Sequence, residues 1–134
     1  MQLPDNAVFE IAGLQMKRAK DILGFIPGYI RMRDYNGAVN RAYYAAFHAL
    51  KALEALDQFD SKKHSGLLNY FRMHYVRTGI FSEEYSDILQ RLSQTRNDSD
   101  YNIIVEITEQ DAFTRFEQAK KLVSEIDRYM QAKQ

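Results

Sequence analysis

The sequence predicts an all-α protein, an antiparallel bundle of four to five helices that forms a single domain over residues 1–134. Apolar residues recur at helical spacing along most of the chain. Only 6 glycines and 2 prolines are present, which leaves few turns and favours a few long helices over many short strands. Apolar residues make up 46% of the chain, which is enough material for one core.

The first predicted helix covers about residues 5–26. Asp5 or Asn6 is a suitable N-cap, and Pro27 followed by Gly28 is expected to end the helix. Helical spacing assigns five apolar residues to one face, which we expect to be buried. They are Ala7, Ile11, Leu14, Ile22 and Phe25.

The second predicted helix covers about residues 34–56 and is the expected centre of the bundle, because its alanines permit close approach of neighbouring helices. Its apolar arc consists of Val39, Ala42, Ala46, Ala49, Leu50 and Leu53. A third helix is predicted over about residues 62–78, stopping at Gly79. Its apolar side consists of Leu67, Leu68, Phe71 and Tyr75.

The fourth predicted helix starts at Ser82, whose hydroxyl is expected to accept a bond from an early backbone N–H. Its apolar residues are Tyr85, Ile88, Leu89 and Leu92. The stretch YNIIVEI, residues 101–107, is expected to be an extended or irregular connection. The fifth helix opens at Thr108, and Asp111 three residues later resembles a capping box. Its stripe consists of Ala112, Phe116, Ala119, Val123, Ile126 and Met130.

Composition and charge exclude several classes of site. Cysteine is absent, so disulfides, thiolate catalysis and zinc–thiolate sites are ruled out. The 18 basic and 18 acidic residues balance, so a general electrostatic attraction to nucleic acid is not expected, although a local basic patch can form. The 3 histidines are far apart, and we expect no metal and no cofactor. We expect a cytoplasmic protein without membrane association, because no apolar stretch reaches the length of a membrane span.

A charge interrupts the apolar stripe of the fourth helix. At about 100° per residue, Arg96 falls in the same narrow arc as Leu89 and Leu92. Arginine does not lose its charge, so a buried guanidinium needs an anion or several acceptors. In the structural interpretation, Arg96 pairs with Asp98 or Asp100, which we assign to a polar loop, or it caps the terminal carbonyls of the helix. In the functional interpretation, it binds a phosphate of a nucleotide or RNA.

Two further groups of polar residues are candidates for ligand binding. Arg41, Tyr44, His48 and Lys51 fall on one side of the second helix, opposite its alanine-rich arc. Such a mixed stripe is usually a solvated face, but it would also suit a phosphate and a stacked base. His64 lies beside two lysines at the predicted start of the third helix, where it belongs either to an anion site or to an exposed turn.

Four segments occur in a characteristic order along the chain. They are NRAYYAAFHALKALEAL (40–56), KKHSGLLNYF (62–71), YVRTGIF (75–81) and RNDSDYN (96–102). Together they closely resemble the HEPN family (higher eukaryotes and prokaryotes nucleotide-binding), over about residues 7–130. The resemblance implies a bundle of four or five helices, commonly a homodimer. It also implies, for many members, a neighbouring gene for a minimal nucleotidyltransferase in a toxin–antitoxin-like pair.

Ribonuclease members of the family carry an Arg, four to six arbitrary residues and then a His. Here Arg96 matches the Arg, but Tyr101 stands in place of the His, which resembles the Arg-x-x-x-Asp-Tyr form of one branch with Asp100 as its acid. Imidazole suits proton transfer near neutral pH, whereas a phenol with an ordinary pKa of about 10 is a poor base. The resemblance therefore supports anion binding but not acid–base catalysis, unless the fold brings His48 or His64 close to Arg96.

We therefore expect a nucleotide- or RNA-binding subunit that works with a minimal nucleotidyltransferase in a toxin–antitoxin-like two-gene module. The expected ligand-binding residues are Arg96, Asp100, Tyr101, Arg41, Tyr44, His48 and His64. The alternatives are an HEPN ribonuclease, whose catalytic residues are unknown and would include Arg96 and Tyr101, and a structural dimerisation module. A homodimer is expected, because the chain has more aromatic residues than a small bundle needs to bury. These aromatic residues are Tyr29, Tyr35, Tyr43, Phe47 and Phe59.

Overall fold

The computed structural model describes residues 3–134 and is an all-α helical bundle, which confirms the predicted fold class. A π-helical turn, Arg72–Val76, continues directly from the third helix. No strand occurs within residues 3–134. The five α-helices are α1 (Asp5–Arg31), α2 (Tyr35–Leu56), α3 (His64–Phe71), α4 (Glu83–Tyr101) and α5 (Glu109–Lys133).

The second helix, α2, lies at the centre of the bundle and packs against α1, α3, α4 and α5. Every residue of its predicted apolar arc is buried. Alanines at positions 42, 45, 46, 49 and 52 are completely buried, so the backbones of the neighbouring helices approach α2 closely. The predicted stripe of α5 is also buried, except for Phe116, which packs against the core from its edge.

The first helix is longer than predicted. Pro27 lies inside α1, which continues to Arg31. Proline removes one backbone hydrogen bond from the helix. The extra turn is nevertheless held, because Ile26 is fully buried and both Tyr29 and Ile30 pack against the core.

The predicted buried face of α1 was wrong. Only Ile22 of that face is buried, whereas Ile11, Leu14 and Phe25 are exposed. The helix carries two apolar stripes, and the one that packs against α2 contains two alanines, whose small side chains allow a close approach. The buried residues of α1 are Val8, Ala12, Met16, Ala19, Ile22 and Ile26.

The sequence predicted caps for α1, α4 and α5, of which the one at α5 forms, and a further cap that was not predicted forms at α2. The residue before α1 is Pro4 and no side chain makes a capping bond there, so the prediction of Asp5 or Asn6 as its N-cap was wrong. Asp34 accepts a hydrogen bond from the Gly37 backbone N–H at 2.9 Å and caps α2. Thr108 and Asp111 form the predicted capping box of α5, with bonds of 3.0 and 3.1 Å. Ser82 precedes α4, but its hydroxyl makes no capping bond, so that part of the prediction was wrong.

The fourth helix reaches Tyr101, so Asp98 and Asp100 lie in its last turns and not in a polar loop as predicted. The connection to α5 is irregular, as expected. At its tip, Ile103 and Ile104 are almost entirely exposed. In the part of the chain that the structure describes, no helix is long and apolar enough to cross a membrane.

The aromatic residues on which the homodimer prediction was based belong largely to the core. Tyr43 is buried, and Tyr29, Tyr35 and Phe47 are partly buried against the core cluster. Of the five, Phe59 alone is exposed. The aromatic argument for a homodimer is therefore wrong, because these rings have partners within the chain.

Candidate functional site

Arg96 lies in the C-terminal part of α4 and reaches across to α2. Its side chain is 18% exposed. One terminal nitrogen, Nη2, donates a hydrogen bond to the Tyr44 hydroxyl at 3.2 Å. The Nε atom lies 3.0 Å from Oδ2 of Asp100, but it has no hydrogen bond of acceptable geometry to any atom of the described chain. The contact with Asp100 is therefore an ion pair without an aligned Nε–H bond.

One of the structural alternatives predicted for Arg96 is thus present. Asp100 neutralises part of its charge, whereas Asp98 accepts a bond from Gln94 at 3.2 Å. A guanidinium has five N–H donors, and the contacts to Tyr44 and Asp100 together with a marginal 3.5 Å bond to Asn97 do not use all of them. Arg96 is therefore held in place by the chain and still has donors for an external anion.

Three phenol rings surround the guanidinium. Its Cζ atom lies 5.4 Å from the ring centre of Tyr43, 5.5 Å from that of Tyr44 and 5.9 Å from that of Tyr101. Contacts of this kind are worth about 0.5 to 2 kcal/mol each, depending on how dry they are. Tyr101 is 77% exposed, so one wall of this cluster is open to solvent. An exposed phenol beside an arginine can stack on a base whose phosphate the arginine binds.

The fold brings His64 into this cluster from the start of α3. Its Nδ1 lies 3.0 Å from the Tyr43 hydroxyl oxygen, and its ring centre lies 4.6 Å from that of Phe47. Its ring also contacts the rings of Tyr43 and Tyr44, both at 5.9 Å, and these are the rings that Arg96 contacts. His64 and Arg96 are therefore neighbours across two shared tyrosines.

The protonation of His64 follows from its surroundings. His64 is exposed as a whole, but partial burial of its ring lowers its pKa below the ordinary value of 6.5, and the charges of Arg96 and Lys51 lower it further. Burial also raises the pKa of Tyr43, so its hydroxyl keeps its proton. The direction of the hydrogen bond between this hydroxyl and Nδ1 depends on the tautomer of the ring: when the hydroxyl donates to Nδ1, the proton of the neutral imidazole lies on Nε2. In this tautomer Nε2 of His64 is an N–H donor, and its basic nitrogen, Nδ1, is occupied by the Tyr43 hydroxyl.

A buried carboxylate anchors the segment that leads to His64. Glu54 is 1% exposed, and it accepts bonds from the backbone N–H of Ser61 at 3.2 Å and from the Ser61 hydroxyl. Lys51 lies 3.4 Å from Glu54 and also donates to Asp60 and to the Ser61 carbonyl, both at 3.0 Å. We call this group the Glu54 clasp. Sequence reasoning missed it, although a glutamate directly beside the apolar arc of α2 was a signal.

Arg41 belongs to the same cluster as Arg96, whereas His48 does not. The Cζ atom of Arg41 lies 5.3 Å from the ring centre of Tyr44. His48 turns toward α1, where its Nδ1 lies 2.8 Å from Oε1 of Gln15. Partial burial lowers the pKa of His48, and the positive charges of Arg18, Arg41 and Lys51 lower it further. A groove of about 370 Å³ next to Arg41 is lined by Tyr29, Asp34, Asn36, Gly37, Asn40, Arg41, Ser99 and Asp100.

The predicted site residues thus divide into two groups. Six of them lie together where α2, α3 and α4 meet, and His48 is separate on the α1 side. We call the first group, with Tyr43 added, the Arg96 cluster. Sequence reasoning omitted Tyr43 from the site and counted it among the aromatic residues expected at a dimer interface. The Arg96 cluster consists of Arg41, Tyr43, Tyr44, His64, Arg96, Asp100 and Tyr101.

Comparison with known proteins gives consistent matches over most of the chain. The sequence model of the HEPN domain matches residues 12–129. A UPF0332 protein of Thermotoga maritima is 28% identical over 115 residues, covering 86% of this chain and 87% of that protein. A Methanocaldococcus jannaschii protein named "Putative toxin" is 33% identical over 121 residues, covering 90% of this chain and 84% of that protein.

A second Methanocaldococcus jannaschii protein named "Putative toxin" is 32% identical over 78 residues, covering 58% of this chain and 53% of that protein. The HEPN match includes α2, α3 and α4, the three helices that build the Arg96 cluster. The all-α bundle agrees with the fold that the resemblance implied. The chain therefore belongs to the HEPN domain family.

Proposed function

We propose that this protein binds a phosphate group of a nucleotide or of RNA at the Arg96 cluster. The observation that carries the proposal is the state of Arg96: it is largely buried, paired with a single carboxylate, and left with unused N–H donors beside an exposed tyrosine. His64 supplies a second donor through Nε2, and Tyr101 supplies a ring on which a base can stack.

Binding without strand cleavage fits the cluster better than ribonuclease activity. Metal-independent cleavage of RNA requires one group to accept the proton of the 2′-hydroxyl and another to protonate the leaving oxygen. When the Tyr43 hydroxyl donates to Nδ1 of His64, the basic nitrogen of that ring is already occupied and Nε2 carries a proton, so the ring offers no free base for the first task. Tyr101 has a phenol in the motif position, and a phenol is a poor base near neutral pH.

We further propose that the protein acts in a toxin–antitoxin-like two-gene module with a minimal nucleotidyltransferase as its partner. Two relatives bear the name "Putative toxin", and the resemblance to the HEPN family implies such a partner for many members. Inspection of the adjacent gene tests this directly. A nucleotidyltransferase reading frame there, whose product copurifies with this protein, is the expected result, and an unrelated neighbour would contradict the partner proposal.

Binding is tested with fluorescent ATP and with a labelled single-stranded oligoribonucleotide. We expect Arg96→Ala to weaken binding about tenfold or more, because hydrogen bonds to charged groups contribute about 1.5 to 3 kcal/mol. Arg91→Ala removes the same charge from an exposed position of α4 and serves as the matched control. If both variants bind like the wild type while Arg96→Ala lowers the melting temperature, Arg96 has a structural role only.

The second candidate is an HEPN ribonuclease, and the observation that favours it is the position of His64 beside Arg96. In that case purified protein cleaves RNA, and either His64→Ala or Arg96→Ala abolishes cleavage. Varied RNAs that remain intact with the wild-type protein, at concentrations that saturate binding, would exclude this candidate.

A further inference from the structure

We propose that a groove along the outer side of α3 is a second binding site, which takes an unstacked base, and that one single strand of RNA occupies it together with the Arg96 cluster. One phosphate of the strand lies at the Arg96 cluster, and a base further along the strand lies in the groove. This inference rests on the proposed function only in assigning one strand to both sites. We call the groove the α3 groove. It has a volume of about 520 Å³, and its walls include Phe59, Lys62, Lys63, Tyr70 and His74.

Three aromatic rings form a row in the α3 groove. The ring centres of Phe59 and Tyr70 lie 4.6 Å apart with their planes at 15°, and those of Tyr70 and His74 lie 4.4 Å apart with their planes at 35°. The two end members of the row are open to solvent, because Phe59 is 49% exposed and His74 is also exposed. Every nucleobase has a π-face that can stack on such a ring, so the row suits a base of single-stranded RNA.

The π-helical turn that follows α3 holds this row in place. Its hydrogen bonds join residues five apart, as in the bond from the Arg77 N–H to the Arg72 carbonyl at 2.9 Å, and such turns are frequent at functional sites. Tyr70 and Tyr75 are also five apart, and both donate to Oδ2 of Asp57, at 2.8 and 2.6 Å. The Tyr70 ring is thus fixed before a ligand arrives, so little freedom is lost when a base stacks on the row.

Two exposed lysines of the α3 groove lie directly before His64 in the chain. Lys62 is 3.9 Å from Asp60, which is at the limit of an ion pair, and Lys63 forms no ion pair within residues 3–134. Both ammonium groups are therefore available to a phosphate. Because His64 belongs to the Arg96 cluster, the two sites are adjacent, and a strand can pass from one to the other along the start of α3.

Occupation of both sites by one strand predicts that affinity depends on the length of the RNA. Once a phosphate is bound at the Arg96 cluster, binding of a base of the same strand in the α3 groove is intramolecular, which raises the overall affinity. Fluorescence anisotropy measures the dissociation constants of labelled ATP and of labelled single-stranded oligoribonucleotides of about 4 to 16 nucleotides. We expect the longest of these to bind the wild type about tenfold or more tightly than ATP does.

Two variants, each with a matched control, locate the gain in affinity. Phe59→Ala removes the exposed end of the row and is expected to weaken binding of the longest oligoribonucleotide about fivefold or more, while ATP binding stays unchanged. Phe113→Ala removes a ring of similar exposure, 53%, from α5 and is expected to bind like the wild type. Lys63→Ala is expected to lower the salt dependence of binding by about 0.7 in the slope of log K against log salt, whereas Lys17→Ala on α1 leaves it unchanged.

A fluorescent variant reports on stacking directly. The chain has no tryptophan, so Phe59→Trp places a single indole in the row, and the longest oligoribonucleotide is expected to quench its fluorescence. An affinity that does not change with length, an unquenched indole, or equal binding by Phe59→Ala and Phe113→Ala would overturn the inference, even where Arg96→Ala weakens binding. If Phe59→Ala weakens binding and Arg96→Ala does not, the proposed function fails and the α3 groove stands as a base-binding site by itself.

Discussion

Removing the carboxylate of the Glu54 clasp is expected to destabilise the protein strongly and to release His64 from the Arg96 cluster. In Glu54→Ala the backbone N–H and the hydroxyl of Ser61 lose their acceptor, and Lys51 loses one of its two carboxylates. Breaking a buried charge pair usually costs about 3 to 5 kcal/mol. Here the loss is smaller, because Lys51 keeps its bonds to Asp60 and to the Ser61 carbonyl.

We therefore expect Glu54→Ala to lower the free energy of unfolding by about 2 to 4 kcal/mol. At an unfolding entropy of about 2.1 cal/mol/K per residue, this lowers the melting temperature by about 7 to 14 °C. The matched control is Glu117→Ala, which removes the same side chain from an exposed pair with Lys120 and is expected to change stability by less than about 0.5 kcal/mol.

Urea unfolding gives the free energies, and NMR of the imidazole ring gives the local effect. We expect the chemical shifts of the His64 ring to move toward the values of a histidine without neighbouring rings. We also expect the pKa of His64 to rise toward 6.5, because the ring leaves Tyr43 and Arg96. If Glu54→Ala is as stable as Glu117→Ala, or if it is destabilised while His64 keeps its pKa, the clasp does not position His64.

Two other outcomes follow from the same structure. Folding lowers the pKa values of His48 and His64, so near pH 6.5 the unfolded chain binds more protons than the folded one, and stability should fall as the pH drops through about 6.5. The melting temperature should therefore fall less between pH 7.5 and 5.5 in the double variant His48→Gln/His64→Gln than in the wild type. An equal fall in both proteins would contradict this assignment. Asp111→Ala should cost about 1 kcal/mol in urea unfolding because it opens the capping box of α5, and Glu109→Ala, in the same turn but outside the box, should cost clearly less.

Features that depend on neighbours in sequence were the ones that the sequence predicted well. The arc of α2 from Val39 to Leu53, the stripe of α5 and the capping box at Thr108 each follow from spacings within one helix. The buried face of α1 did not follow in this way, because two apolar stripes share the same period. Periodicity alone does not tell which stripe faces α2, and Leu14 and Phe25 look more like core residues than Ala12 and Ala19 do.

The composition of the candidate site was predictable only in part, for the same physical reason. Arg96 was found because a charge interrupted an apolar stripe, and its pairing with Asp100 is local. The contacts of Arg96 with Tyr44 and of His64 with Tyr43 join residues 52 and 21 positions apart. Contacts over such separations depend on how the helices pack, and neither a helical period nor a short motif contains that information.

The central claim is that the Arg96 guanidinium binds a phosphate, and the Nε–H resonance of Arg96 in an NMR titration reports on it most directly. This N–H group is buried without an aligned acceptor, so it should give a resolved signal that Arg96→Ala removes. Addition of ATP or of a single-stranded oligoribonucleotide should shift that signal together with those of His64 and Tyr101. A titration that saturates with shifts elsewhere on the protein, while the Arg96 signal does not move, would contradict the account.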